Sequence, residues 1–158
     1  MRTLAAGSKY PKVRGFTLLE LLVVVALIAV ATAGVSLSLR DSADSALERD
    51  AERLATLLET ARAQARANGS PVVWRTQSLN DSQSFVFEGL PPPGLPKHWL
   101  TPSTLVATDT AVTLGPEPLI EPRAIALSSR TRPDRQLWVV TDGLRPFKVQ
   151  NTPTQVQR

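Results

Sequence analysis

The sequence predicts an α+β protein: a long N-terminal helix, first transmembrane and then amphipathic, packed on a small antiparallel β-rich head. Three observations predict it. Residues 16–39 form one apolar run of 24. Residues 41–67 repeat leucine and alanine at helical spacing, and no proline occurs between positions 12 and 70. Beyond residue 70 the pattern changes to short β-type runs separated by proline and turn dipeptides.

Composition bounds the chemistry. The chain has 158 residues, enough for one ordinary domain. It has no cysteine, which excludes disulfides, thiolate metal sites and Cys nucleophiles. One histidine, His98, excludes His-cluster metal sites; it stands beside Trp99 and Pro96, with no acid nearer than Glu88 and Asp109. No acidic cluster has calcium-loop spacing, and no phosphate-binding glycine motif occurs. The expectation is therefore no enzyme, no catalytic residue, no metal and no cofactor.

Residues 1–15 form a basic leader with Arg2, Lys9, Lys12 and Arg14 and no acid. They carry the whole net charge of +4, because the rest balances 14 basic against 14 acidic residues. The run 16–39, FTLLELLVVVALIAVATAGVSLSL, exceeds the ~20 residues that a membrane span needs. The Lys/Arg asymmetry places the N-terminus in the cytoplasm. A plain signal anchor and a secretory signal cleaved near Ala31-Thr32-Ala33 are two readings. Glu20 counts against both. A carboxylate inside such a run costs about 2.5–3.5 kcal/mol at mid-helix, and neither reading uses it.

Gly15-Phe16-Thr17-Leu18-Leu19-Glu20, behind a basic leader and ahead of an unbroken apolar run, resembles the cleavage and methylation signal of type IV pilins and type II secretion pseudopilins. The resemblance implies that a prepilin peptidase cuts between Gly15 and Phe16, on the cytoplasmic side. It implies N-methylation of Phe16 and retention of the run in the mature protein. The fold it implies is pilin-like. Glu20 then lies one helical turn from a new cationic α-amine. Pairing between the amine of one subunit and Glu20 of a staggered neighbour would set filament register, which makes Glu20 an assembly residue.

Residues 40–69 form the amphipathic half of the helix. Leu47, Leu54, Leu58, Ala61 and Ala65, widened by Ala51 and Leu57, make the apolar stripe. Asp50 with Arg53, and Glu59 with Arg62, are expected to cover the opposite face as helical ion pairs. Gly34, with Ser36 and Ser38, is the weakest point of the helix. Asn68-Gly69 and Pro71 end it. A coiled coil is the alternative to sheet packing, but the dense alanines favour a sheet in the same chain.

Residues 70–158 form the head. The expected strands are 71–76, 84–88, 104–107, 111–114, 124–128, 136–141 and 147–150. Asn80-Asp81-Ser82 marks a loop, and Asp142-Gly143 a turn between the last two strands. The proline-rich stretch 90–96 is an extended loop, since proline cannot donate to a ladder. The polar stretch 151–158 is expected to fray.

Leu114–Pro118, Thr141–Phe147 and the Gly-Leu-Pro and Trp-Leu stretch at 89–100 resemble the H-type minor pseudopilin of the type II secretion system, the GspH/FimT group. That resemblance implies a single-pass protein of the bacterial inner membrane, N-terminus cytoplasmic and head periplasmic, at the tip region of the pseudopilus that exports folded periplasmic proteins. Its partners would be other minor and major pseudopilins, the prepilin peptidase, the inner-membrane secretion platform and inner-membrane lipid.

Some FimT-type pilins bind DNA through a basic C-terminal region, which supplies the alternative function. Residues 122–158 carry net +5, against −5 for residues 16–121. Arg130, Arg132 and Arg135 are the candidate DNA or partner contacts. Nucleic acid is the disfavoured partner, because only Trp74 and Trp99 near the loops offer rings on which bases can stack. The opposing reading of the arginines is that they face solvent or meet acidic neighbours in a complex.

Overall fold

A computed structural model describes residues 16–79 and 82–153, with backbone alone at 36–41, 79 and 82. Helix α1 runs over Leu18–Asn68, and the helical backbone continues through Gly34. Its onset is two residues later than the apolar run, because Thr17 caps it from outside. The chain divides into two units between Ser38 and Leu39.

In the first unit, Leu18–Val35 is long and apolar enough to cross a membrane, with a mean hydropathy of 2.6, and none of it is buried. Leu18, Leu22, Leu27, Ile28 and Val30 are all more than half exposed. An apolar surface of this extent suits lipid or neighbouring apolar helices. The polar Thr32 is compatible with that setting: its Oγ1 donates to the carbonyls of Ile28 and Ala29, each at 2.9 Å.

The second unit joins the rest of α1 to two antiparallel sheets. Strands β1 (Val72–Leu79), β2 (Ser82–Glu88) and β4 (Ala111–Leu114) make one sheet, ordered β2-β1-β4. Strands β3 (Thr104–Val106), β5 (Arg123–Ser129), β6 (Arg132–Thr141) and β7 (Lys148–Gln150) make the other, ordered β3-β5-β6-β7. The Gln83 side chain links the sheets. Its amide donates to the Val106 carbonyl at 2.7 Å, and its carbonyl accepts from the Val106 N–H at 2.6 Å. All seven expected strands are present, β4 at the expected bounds and the others with shifted ones.

The core explains the alanine content of the helix. Leu47, Ala51, Leu54, Leu58, Ala61 and Ala65 are buried with Val72, Trp74, Phe85, Leu114, Ile125, Leu127 and Val139. Alanine lets the helix axis approach a neighbouring backbone. A Cβ on Gly115 would stand 2.9 Å from the Ala65 Cβ. The stripe thus packs on its own sheets and not on a second helix. The C-terminus of α1 closes as a Schellman motif: Gly69 has φ +63°, its N–H donates to Arg66 O at 3.4 Å, and the Ser70 N–H to Ala65 O at 3.2 Å.

Two expectations require correction. Asp50 and Arg62 do not lie on a solvent face; each is at most 2% exposed. Asp50 bonds to the loop before β3 in place of Arg53, and Arg53 Nη1 donates to the His98 carbonyl at 2.8 Å. Only the Glu59–Arg62 pair forms, at 3.6 Å. Second, β6 begins at Arg132, ahead of the expected 136. Ser129 pairs with Arg132 and Ser128 with Gln136, so residues 133–135 bulge out of the ladder. Pro133 falls in that bulge, where no donor is required. Of the expected loop Asn80-Asp81-Ser82, Ser82 instead begins β2, opposite Leu79, and residues 80–81, like 154–158, lie outside the described residues.

Gly143 is a position that no other residue fits. Its φ is +88°, and a Cβ there would stand 2.1 Å from the Ile120 carbonyl oxygen. Gly143→Ala is expected to destabilise the head by about 2–4 kcal/mol, combining left-handed strain with overpacking. Urea unfolding followed by tryptophan fluorescence reads this. A loss below about 0.5 kcal/mol, the range of ordinary surface changes, would refute the close approach.

Candidate functional site: the helix start and the head clamps

Thr17-Leu18-Leu19-Glu20 forms a capping box at the start of α1. The Thr17 N–H donates to Glu20 Oε2 at 2.9 Å, and the Thr17 hydroxyl donates to the same oxygen at 3.0 Å. In return, the Glu20 N–H donates to Thr17 Oγ1 at 3.2 Å. Two orphan helix donors are satisfied reciprocally, and a carboxylate is fixed against the positive end of the helix dipole. Glu20 Oε1 has no hydrogen-bond partner among the described residues. One oxygen is thus held by the chain itself, and the other is presented for a further donor. Phe16 and Thr17 are exposed beside it. Gly15, the predicted cleavage position, lies outside the described residues. Sequence reasoning found Glu20 but not its internal partner, although Thr-x-x-Glu ahead of an apolar run is the signature of this box.

In the head, the three candidate arginines separate. Arg135 pairs with Asp44 at 2.6 Å and with Glu48 at 2.5 Å. Arg132 lies 3.6 Å from Asp44 and 3.3 Å from Asp134. Asp44 and Glu48 are one turn apart on α1, so two strand cations meet two helix anions in a half-exposed network. Arg130 is exposed at the β5–β6 connection, and its N–H donates to Ser103 O at 2.8 Å. The two tryptophans considered for base stacking are not available. Trp74 is 0% and Trp99 9% exposed, and both pack around Phe85, with ring centroids at 6.2 and 4.7 Å.

Two buried charges clamp loops onto α1. Asp50 accepts from the Leu100 N–H at 2.7 Å, the Thr101 N–H at 3.1 Å and the Thr104 hydroxyl at 2.7 Å. Arg62 Nη2 donates to Gly143 O at 2.5 Å and Pro118 O at 2.9 Å, and Nη1 to Arg145 O at 3.5 Å. Glu59 completes this corner by accepting from the Phe147 N–H at 3.0 Å. Both clamps were missed because the partners are distant in the chain and, apart from the Thr104 hydroxyl, backbone groups, which no side-chain spacing reveals.

Asp142 fixes the turn that follows β6. The Arg145 N–H, at 2.7 Å, holds its carboxyl below the usual aspartate range; desolvation opposes this, and the Leu144 N–H at 3.0 Å and the Arg145 charge add to it. Because the folded-state value is depressed, the turn's stabilisation is complete above the ordinary pKa of about 3.9 and is lost as pH falls through the lower folded value. Amide exchange at Leu144 and Arg145 is expected to stay constant from neutral pH down to about that value, after allowance for its intrinsic pH dependence, and to accelerate below it. Acceleration already near neutrality would refute the assignment.

Residues 10–36 match the family model of the prokaryotic N-terminal methylation motif. Neither the curated proteins nor the solved structures yield a match to the chain. The motif implies processing by a prepilin peptidase and assembly with pilin-like subunits. The arrangement described above, an N-terminal apolar helix followed by antiparallel sheets, is the α+β arrangement of such proteins.

Proposed function

We propose that this protein is a minor pseudopilin of a type II secretion system, of the H type, placed in the tip region of the pseudopilus. The role is structural and not enzymatic. The observation that carries this reading is the methylation motif over residues 10–36, with Glu20 self-capped by Thr17 at the start of the apolar segment Leu18–Val35, none of which is buried. In this role the leader stays cytoplasmic, Leu18–Val35 crosses the inner membrane and the head is periplasmic. Phe16 becomes the N-methylated first residue, and inner-membrane lipid holds the subunit before assembly. The partners are other minor and major pseudopilins and the inner-membrane secretion platform.

The H-type assignment is supported by the head segments that resemble that group, chiefly Thr141–Phe147. The alternative, DNA uptake, loses support on two counts. Arg132 and Arg135 are engaged by Asp44 and Glu48, and both candidate stacking rings are buried. Phosphate contacts would have to displace existing ion pairs.

Processing gives the direct test. Gly15→Val is expected to leave essentially all of the protein as membrane-bound precursor, because a branched side chain blocks the residue that precedes the cut. Mass spectrometry of the membrane fraction is expected to find methylated Phe16 as the first residue of the unmodified protein. A mature N-terminus at Gly34 would overturn the reading in favour of a secretory signal. For the secretion role, mixing the protein with candidate minor pseudopilins and measuring complex formation is decisive. Failure with all of them, together with submicromolar DNA binding at physiological salt, would reverse the ranking.

A further inference from the structure

β4 pairs with β1 alone and is the last strand of its sheet, with no second strand partner among the described residues. The direction of its backbone groups follows from one pair. The Thr76 N–H donates to Thr110 O at 3.0 Å, in the register that sets Trp74 opposite Val112 and Val72 opposite Leu114. In an antiparallel ladder every second pair exchanges main-chain hydrogen bonds. Val112 and Leu114 therefore bond to β1, whereas Ala111 and Thr113 turn both N–H and C=O away from it. The burial alternates in step: Val112 and Leu114 are buried, Ala111 and Thr113 exposed.

Thr113 also forms one side of an open cleft of about 480 Å³, and the segment from Glu117 to Arg123 forms the other. This far wall cannot close the β4 edge itself. The loop that carries it has prolines at 116, 118 and 122, which supply no donor for a ladder. It is also held in place. Buried Arg62 donates to Pro118 O at 2.9 Å, and the Ile120 N–H donates to Gly143 O at 3.3 Å. A wall stiffened by proline and pinned from the core has little freedom left to lose on binding.

The side chains of the cleft select its occupant. Arg123 is committed to Glu121. Glu117 is exposed and has no ion-pair or hydrogen-bond partner among the described residues. The cleft thus holds one uncompensated negative charge. Beside it Leu119 is 64% exposed, and Ile120 is partly buried against the core. A chain that adds to a strand edge places alternate side chains on one face. Two positions of that chain, two residues apart, then meet the same wall: a cation suits Glu117, and an apolar side chain suits Leu119.

We infer that the β4 edge and this cleft dock an extended polypeptide segment carrying a Lys or Arg two residues from an apolar side chain. The segment bonds to the outward main-chain groups of Ala111 and Thr113, sets its cation against Glu117 and covers Leu119. This deepens the filament reading by naming a head surface through which another subunit attaches, and rests on that reading only for where the segment comes from. A nucleic acid does not fit, because its phosphates would meet the uncompensated Glu117.

The test uses the full chain in nonionic detergent micelles and a fluorescein-labelled hexapeptide of alternating Lys and Val with blocked ends. Anisotropy is expected to show saturable binding, weakened at least about tenfold by Glu117→Lys. The matching Glu-Val peptide is expected to bind that variant better than it binds the unmodified protein. Thr113→Pro keeps every charge and removes one outward N–H at an edge that tolerates proline, and it is expected to weaken the Lys-Val peptide as well. Amide exchange supplies a readout that needs no variant. Binding is expected to slow exchange at Ala111 and Thr113 and to leave Val112 and Leu114, already bonded to β1, unchanged. Equal binding by the unmodified protein and Glu117→Lys, or unchanged exchange at Ala111 and Thr113, would overturn the inference. Slowing of the same two amides in the protein alone, growing with its concentration, would assign the edge to a second copy of this chain instead. Neither readout involves assembly, so failed docking leaves the filament role intact, and normal assembly of a Glu20 variant leaves this docking intact.

Discussion

Asp50→Ala is expected to destabilise the head by about 3–5 kcal/mol, the cost of leaving three buried donors without their charged acceptor. The carboxylate is 1% exposed and receives three hydrogen bonds, from Leu100, Thr101 and Thr104. Alanine leaves two backbone N–H groups and one hydroxyl without an acceptor beneath the helix, and water cannot reach them easily. For a head of this size the loss corresponds to a fall of about 10–20 °C in Tm. Asp50→Asn keeps the shape and one acceptor oxygen, so its loss is expected to be about half as large. Circular dichroism melts of the three proteins check the order. An Asp50→Ala melt within about 2 °C of the unmodified protein would show that the clamp contributes nothing.

The second large effect concerns assembly. Glu20→Val is expected to be processed and to remain in the membrane, more favourably by hydropathy, yet to enter filaments at least about tenfold less. In the proposed filament role, the carboxylate that Thr17 holds at the helix start would accept from a neighbour's amine, and valine removes it. Thr17→Val separates the two roles of the box. It keeps the charge but deletes the hydroxyl that caps Glu20, a loss of about 0.5–2 kcal/mol in helix-start stability. Incorporation is therefore expected to fall less than in Glu20→Val. Quantifying each variant in sheared filament fractions checks the ranking. Normal incorporation of Glu20→Val would refute the pairing role.

Much of this was legible in the chain because it is written in local patterns. The apolar run, the helix stop at Asn68-Gly69 and all seven strands follow from hydropathy period and turn residues. Glu20 was legible because a carboxylate is conspicuous among leucines. The clamps at Asp50 and Arg62 were not legible. Helical spacing offered each a partner on the same helix, and the real partners of Asp50 lie about 50 residues away. The same limit applied to Arg132 and Arg135. Their positions in sequence suggested a free basic region, and only the fold brings Asp44 and Glu48 to them. The β5–β6 hairpin was hidden for another reason: its connection, Arg130-Thr131, contains neither glycine nor asparagine.

The Gln83 amide has a consequence for how subunits can associate. It occupies both backbone groups of Val106 in the way one residue of a pairing strand would. The neighbouring edge of β2 is occupied as well, by the His98 bridge and by the Phe85 N–H bonded to Lys97 O at 3.0 Å. The inner edges of both sheets are therefore closed, and the outer ones, those of β4 and β7, have no strand partner among the described residues and are four and three residues long. Edges this short give too few hydrogen bonds to hold heads together in an endless ladder. Concentrated heads should stay dispersed, without cross-β growth, and the helical order of any fibre they join must be dictated by the apolar stems.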